Sequence, residues 1–224
     1  ACTVALWLDG AVHVDSVDLA RGHSQRILPM IDGLLAAHAL DLGALDAIAV
    51  GRGPGGFTGV RLAVSVAQGL ALGAALPAVG VSSLAAVAPA ALDRDVAATH
   101  VLVCNDARMK EVYTGLYRRG GDGRAVLEGS EQVAPPAAVS LPATHDSDRR
   151  RVLGAGRGFG AYPQLAVRLR DGLASIDGTA LPGAGEIARL AAAALRRGEG
   201  LSPEALQPVY LRDDVAIPAV TVLK

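Results

Sequence analysis

A chain of 224 residues with 51% hydrophobic residues is long enough to bury one large core or two smaller ones, and intrinsic disorder is excluded. Its formal charge of −1, with acids and bases mixed along the chain, sets up no field that draws nucleic acid. Aromatic residues make up 3%, too few for a base-stacking platform, so direct RNA binding by this chain alone is not expected.

Arginine outnumbers lysine 19 to 2, which reads as codon bias before function. The one sharp basic cluster, Arg149-Arg150-Arg151, follows Asp146 and Asp148 and reads as a solvated loop. Cys2 and Cys104 lie far apart and read as ordinary buried thiols of a reducing compartment. His13, His23, His38, His100 and His145 never fall three to five apart, so no helical pair of metal ligands forms from them. The most apolar run, Leu62 to Ala78, contains Ser65, Gln68, Gly69, Gly73 and Pro77, which suit a buried helix better than a membrane span. No basic stretch precedes an apolar one at the start, so the expectation is a cytoplasmic protein without a signal peptide.

In chain order, Cys2 to Leu8 and Ala11 to Val17 are strand-like runs joined by Asp9-Gly10, a hairpin dipeptide. Ser24 to Leu40 is the first predicted helix, with Ser24 as its cap and Pro29 near its start. Ile27, Leu28, Ile31, Leu34 and Leu35 share one broad face of it. Ala47 to Val50 reads as a buried strand. It runs into the glycine turn Gly51-Arg52-Gly53-Pro54-Gly55-Gly56-Phe57-Thr58-Gly59. A second helix follows to Ala75, with Thr58 as its cap and Arg61 as its single charge. So apolar a helix needs cover on both sides.

Ala78 to Ser82 is a further strand. Ser83 to Leu92 reads as a helix interrupted by Pro89, and Asp93-Arg94-Asp95 as a domain boundary. Val101 to Cys104, Glu111 to Tyr117 and Ala125 to Val133 read as strands of a second sheet, with a turn at Gly120-Gly121-Asp122-Gly123. Pro135 to Asp148 is a loop. Val152-Leu153-Gly154 opens another strand–turn–helix unit, Glu186 to Arg197 is an amphipathic helix stopped by Gly198, and Leu206 to Leu223 is extended. Alternating strands and helices indicate an α/β fold, divided as 1–95 and 96–224.

The glycine turn is chemically ambiguous by itself. Gly51, Gly53 and Gly56 match the spacing of a dinucleotide loop, but no carboxylate lies between Arg61 and Leu92 to hold a ribose. A P-loop fails because no lysine follows the last glycine. A structural turn remains open.

A more specific pattern lies in Gly53-Pro54-Gly55-Gly56-Phe57-Thr58-Gly59-Val60-Arg61, followed by Pro77 and Gly80-Val81-Ser82-Ser83-Leu84. With His23-Ser24, Leu28-Pro29, Asp106-Ala107-Arg108-Met109, Glu111-Val112-Tyr113 and Pro208-Val209-Tyr210-Leu211-Arg212, it resembles the TsaB family of bacterial tRNA threonylcarbamoyladenosine biosynthesis proteins. The motifs fall in order along nearly the whole chain. The family usually carries a serine where this chain has Gly56.

The resemblance implies a two-lobed actin-like, Hsp70-like ATPase fold with ribonuclease H-like lobes and an additional first strand ahead of Cys2, whose absence here exposes a sheet edge. It implies a non-catalytic subunit that docks with the catalytic paralogue TsaD and the ATPase TsaE, meets tRNA only through that complex, and self-associates when alone. TsaD carries closely spaced metal-binding histidines that this chain lacks. The phosphate hairpins of the fold are degenerate here: the first would lie ahead of Cys2, and Asp106-Ala107-Arg108 has no glycine after its acid. Asp106 and Glu111 as a catalytic pair are the weaker alternative, and the reading names no catalytic residue, cofactor or metal. The expected partner interface comprises Ile27, Leu28, Ile31, Leu34 and Leu35 of the first helix with Val60, Ala63, Val66, Ala67 and Leu70 of the second; Gly53 to Gly59 are its structural loop. A glycoprotease-like peptidase and a small-molecule kinase of the same fold are the rival readings.

Overall fold

Alternating burial of Cys2, Val4 and Leu6 marks β1 (Cys2–Leu8) as a strand with one face on a core. It pairs antiparallel with β2 (Ala11–Val17) through the turn at Asp9 and Gly10, whose φ angles are +50° and +88°. Helix α1 (His23–Ala37) lies against β1, and Met30 packs with Cys2 and Val4. The computed structural model describes residues 1–19, 21–121, 124–141 and 151–212.

β3 (Ile48–Gly51) pairs in parallel with β4 (Ala78–Val81) across the crossover helix α2 (Phe57–Gly73). The two faces of this short sheet meet different helices. Val50 and Ala78 face Val64, Ala67 and Ala71 of α2, while Val79 and Val81 face Ala191 and Ala194 of α6 (Ala184–Arg196). Among the described residues β1 pairs only with β2, and β3 only with β4, so the first half holds two separate two-stranded sheets.

After α3 (Ala88–Arg94) comes a five-stranded mixed sheet. Its strands are β5 (His100–Arg108), β6 (Glu111–Arg119), β7 (Ala125–Ala134), β8 (Val152–Ala155) and β9 (Ser175–Asp177), in the order β7-β6-β5-β8-β9. Both faces of β5 are buried, which explains its unbroken apolar run. Val101 and Val103 meet Leu84, Val87 and Leu92 on one side; Leu102 and Cys104 meet Phe159, Leu165 and Leu169 on the other. The latter come from α4 (Arg157–Ala161) and α5 (Pro163–Leu169).

The chain is therefore a mixed α/β protein. Helix α6 comes late in sequence yet packs against all four strands of the first two sheets. Arg94 and Asp95, at the expected boundary, are tied forward to the second sheet: Arg94 pairs with Asp177, and Arg151 Nε reaches Asp95 Oδ2 at 2.6 Å.

Several local expectations are corrected. The first helix starts one residue ahead of Ser24: Gly22, at φ +87°, is its N-cap, and Ser24 Oγ bonds Gln25 instead. The second helix starts at Phe57 with Gly56 as N-cap, so Thr58 lies inside it and caps nothing. The chain can turn in early because Gly56 takes an extended conformation at φ −63°, ψ 123°. Pro89 lies in the first turn of α3, which begins at Ala88, rather than interrupting a helix from Ser83, since Ser82 Oγ accepts the Leu84 and Ala85 N–H groups and holds that stretch as turns. Asp146 to Arg150, the turn at Asp122-Gly123 and the tail beyond Arg212 lie outside the described residues.

Candidate interaction site

The glycine turn is held on three sides. Arg52 N–H donates to Val81 O at 2.9 Å, Ser83 N–H to Gly53 O at 2.8 Å, and Val209 N–H to Arg52 O at 2.8 Å. Gly53 sits at φ +100°, and a Cβ there would lie 2.8 Å from Val209 O, so only glycine fits. The Gly53–Pro54 bond is cis. Gly56, by contrast, has open space where a side chain would stand. The turn fastens β3, the end of β4 and the chain's last described stretch together, and it aims the N-terminus of α2.

That N-terminus carries an exposed cluster. The Arg61 guanidinium lies 3.5 Å over the Phe57 ring, and its Nε donates to Tyr210 Oη at 2.6 Å. Further along, Gln68 Nε2 donates to Leu206 O at 2.9 Å. Helix α2 is thus covered on one flank by residues 206–210, a long-range contact that helical periodicity cannot reveal.

The expected interface residues divide into three groups. Ala67 is buried against β3 and β4, and Leu35 is buried as well. Ile27, Ile31 and Leu34 of α1, and Val60, Ala63, Val66 and Leu70 of α2, are half-buried and line a cleft of about 710 Å³ between the two helices. Leu28 alone of the ten points outward, 45% exposed. The outward side of α2 is a different stripe: Phe57, Arg61, Ser65, Gly69 and Leu72, with Leu72 63% exposed. Gly69 has open space at its Cβ position, so this stripe is flat at its middle.

The two acids Asp106 and Glu111 engage different partners. Asp106 Oδ1 accepts the Arg108 N–H at 2.8 Å and the Tyr162 hydroxyl at 3.2 Å, while Glu111 is gripped by Arg212. Between them Arg108, Met109 and Lys110 are all left-handed, at φ +61°, +51° and +62°. The Arg108 N–H is thus occupied within the turn itself. A different polar cluster, not legible in sequence, joins the two halves: Glu131 of β7 accepts hydroxyls from Ser82 and Tyr117. Burial, then the Glu131 carboxylate, push the Tyr117 phenol upward in pKa.

Among the described residues no three of His, Cys, Asp and Glu converge as metal ligands, and no helix is long and apolar enough to cross a membrane. The packing of α1 on β2 does bring His13 and His38 together, ring centroids 4.1 Å apart, though 25 positions separate them in sequence.

Comparison with known proteins gives a consistent set of relatives. The family model described as TsaD, tRNA N6-adenosine threonylcarbamoyltransferase, matches residues 17–219. The tRNA threonylcarbamoyladenosine biosynthesis protein TsaB of Escherichia coli K12 is 41% identical over 217 residues, 96% of this chain and 92% of that protein. TsaB of Haemophilus influenzae is 37% identical over 225 residues, 96% and 90% of the two chains. Two solved structures from Pseudomonas aeruginosa superpose with TM-scores of 0.82 and 0.80, each 40% identical and covering 94% of both chains. One is described as YeaZ, the other as an uncharacterized protein with similarity to peptidase YeaZ.

Proposed function

The chain belongs to the TsaB branch of the TsaD-type threonylcarbamoyltransferase family, and from that premise we propose that it is a non-catalytic subunit in the synthesis of threonylcarbamoyladenosine on tRNA. The observation that carries this is the 41% identity to a TsaB protein over 96% of the chain. Within the reading, the protein has the two-lobed actin-like architecture, with lobes near 1–95 and 96–224 and α6 returned to the first. It works in the cytoplasm by docking with the catalytic paralogue TsaD and the ATPase TsaE, and it meets tRNA only through them.

The docking face of this reading is the outward side of α1 and α2. Leu28, Phe57, Arg61, Gly69 and Leu72 form it, and Val60, Ala63, Val66 and Leu70 contribute from the rim of the cleft. The flat middle at Gly69 admits a close helix from the partner, and the flanking leucines supply apolar area. The occupied acids support a subunit without chemistry of its own, since Asp106 and Glu111 are each committed to an arginine.

Reconstitution tests this directly. Purified chain, TsaD, TsaE, the threonylcarbamoyl-adenylate synthase, ATP, threonine, bicarbonate and unmodified tRNA are combined, and the modified nucleoside is read by mass spectrometry. Product that forms only when this chain is present with TsaD is the expected result. Product formed equally well without it, or formed by the chain alone, would overturn the reading.

A further inference from the structure

Two histidines meet where the end of α1 passes over β2. The odd positions of β2 face α1: Val17 packs on the cluster of Cys2, Val4 and Met30, and His13 stands four residues earlier on the same face. The even positions Val12 and Val14 turn the other way, toward Gly185 of α6. His38 is the C-cap of α1, and its ring lies against that of His13 with centroids 4.1 Å apart and planes at 59°. Both histidines are half-buried.

Hydrogen bonding assigns the proton of one ring and leaves the other uncommitted. His38 Nδ1 lies 2.9 Å from Leu34 O, and a carbonyl can only accept, so Nδ1 carries the hydrogen. That bond satisfies one of the last carbonyls of α1 and fixes the ring. It also leaves Nε2 of the neutral imidazole with an unshared pair, the arrangement of a metal-ligating histidine backed by a backbone carbonyl. The His13 ring makes no hydrogen bond to any described residue, so both of its nitrogens are available. As a helix cap His38 is complete by itself, and that role gives no reason for a second half-buried imidazole against it.

We propose that His13 and His38 form a two-imidazole site for a divalent late transition metal whose remaining positions are filled by water. The spacing selects among such ions. A ring nitrogen ligates at about 2.0–2.1 Å, which puts the ring centroid about 3.2 Å from the ion. Centroids 4.1 Å apart then subtend about 80° at a shared ion. Square-planar and octahedral ions such as Ni(II) and Cu(II) hold cis ligands at about 90°. A tetrahedral ion such as Zn(II) needs about 109°, with centroids about 5.2 Å apart. Both rings already stand on packed elements, so binding orders little that is not ordered before. The bound ion joins the end of α1 to β2 and stabilises their packing. Neither histidine belongs to the docking face proposed above, so the two readings stand or fall separately.

Titration calorimetry of the tag-free chain with nickel(II) chloride tests it, with zinc chloride run in parallel. One Ni(II) should bind per chain, more tightly than Zn(II). His13→Gln and His38→Gln should each weaken binding about tenfold or more. His23→Gln, at the other end of α1, should change nothing. Proton NMR of the imidazole C–H signals locates the ion, because sub-stoichiometric paramagnetic Ni(II) should broaden His13 and His38 before the other histidines. With nickel a hundredfold above its dissociation constant, the melting temperature should rise by about 5 °C or more, and not in His13→Gln. Circular dichroism verifies that the variants are folded. His13 caps no helix, so its variant carries the test even where loss of the His38 cap unfolds the chain. The proposal is overturned by no binding at about 1 mM Ni(II), by binding unchanged in both variants, by equal broadening of His23, or by Zn(II) binding more tightly than Ni(II).

Discussion

Arg61 and Tyr210 stand 149 positions apart in sequence, yet Arg61 Nε donates to Tyr210 Oη at 2.6 Å. The same guanidinium covers the Phe57 ring, and the Phe57 and Tyr210 centroids are 5.8 Å apart. One charged group thus ties the start of α2 to residues 206–210. Arg61→Ala should cost about 1 kcal/mol, since an exposed cation–π contact and one hydrogen bond are lost together. For a chain of this size that lowers the melting temperature by about 2–4 °C. Tyr210→Phe keeps the stacking and should cost less. The tail segment 206–210 should exchange faster in Arg61→Ala, read by hydrogen–deuterium exchange.

The glycine turn separates a required glycine from a dispensable one. Gly53→Ala places a Cβ 2.8 Å from Val209 O at φ +100° and should destabilise by about 1–3 kcal/mol. Gly56→Ser meets nothing within 4 Å and supplies a hydroxyl at the N-cap, so it should be neutral or stabilise by a few tenths of about 1 kcal/mol. Urea midpoints of the two variants measure both.

Alkaline pH should unfold the protein through two buried acids. Burial pushes the Cys104 thiol up to about 12, and the Tyr117 phenol also lies well above its ordinary value of 10. Both pKa values are higher folded than unfolded. Their stabilising contribution is therefore complete below the unfolded values and is lost as pH rises past about 9 for the thiol and 10 for the phenol. Unfolding monitored by circular dichroism should steepen above those points, and iodoacetamide at pH 8 should leave Cys104 unmodified in the folded chain.

On the acid side, Asp177 should report the link between α3 and β9. Hydrogen bonds from the Thr179 hydroxyl and N–H, with the Arg94 guanidinium beside them, lower its carboxyl from 3.8 to about 2. A carboxyl lowered in the folded state stabilises above its unfolded pKa, and that contribution falls away as pH drops from about 4 toward 2. Asp177→Asn should flatten the acid limb of stability over that window while changing little at pH 7 beyond the loss of the ion pair.

Docking on the outward side of α2 predicts a clean contrast between fold and partner. Leu72→Asp changes a side chain that is 63% exposed, so the chain should stay folded while affinity for TsaD falls about tenfold or more. Val64→Asp buries a charge at a site 2% exposed and should prevent folding. Sizing chromatography with TsaD and circular dichroism separate the two. A folded Leu72→Asp variant with full affinity places the docking surface elsewhere.

Element identity was legible in the sequence because it is local. The Asp9-Gly10 dipeptide, the crossover from β3 to β4 around Gly53 and the stop at Gly198 are written in residue types whose backbone preferences act over a few positions. The TsaB resemblance was legible for the same reason, since its motifs are short and ordered. Capping was less so: Ser24 and Thr58 have the chemistry of caps, but Gly22 and Gly56 take the position because neighbouring contacts decide where the helix begins. The side of an apolar helix is not a local property at all. Val60, Ala63, Val66 and Leu70 read as a docking face, and only packing against β3 and the cleft distinguishes them from Leu72. The Arg61–Tyr210 clasp, the His13–His38 contact and the Glu131 cluster all join residues distant in sequence. They exist because α6 and residues 201–210 return to the first half of the chain, and no pattern of spacing carries that information.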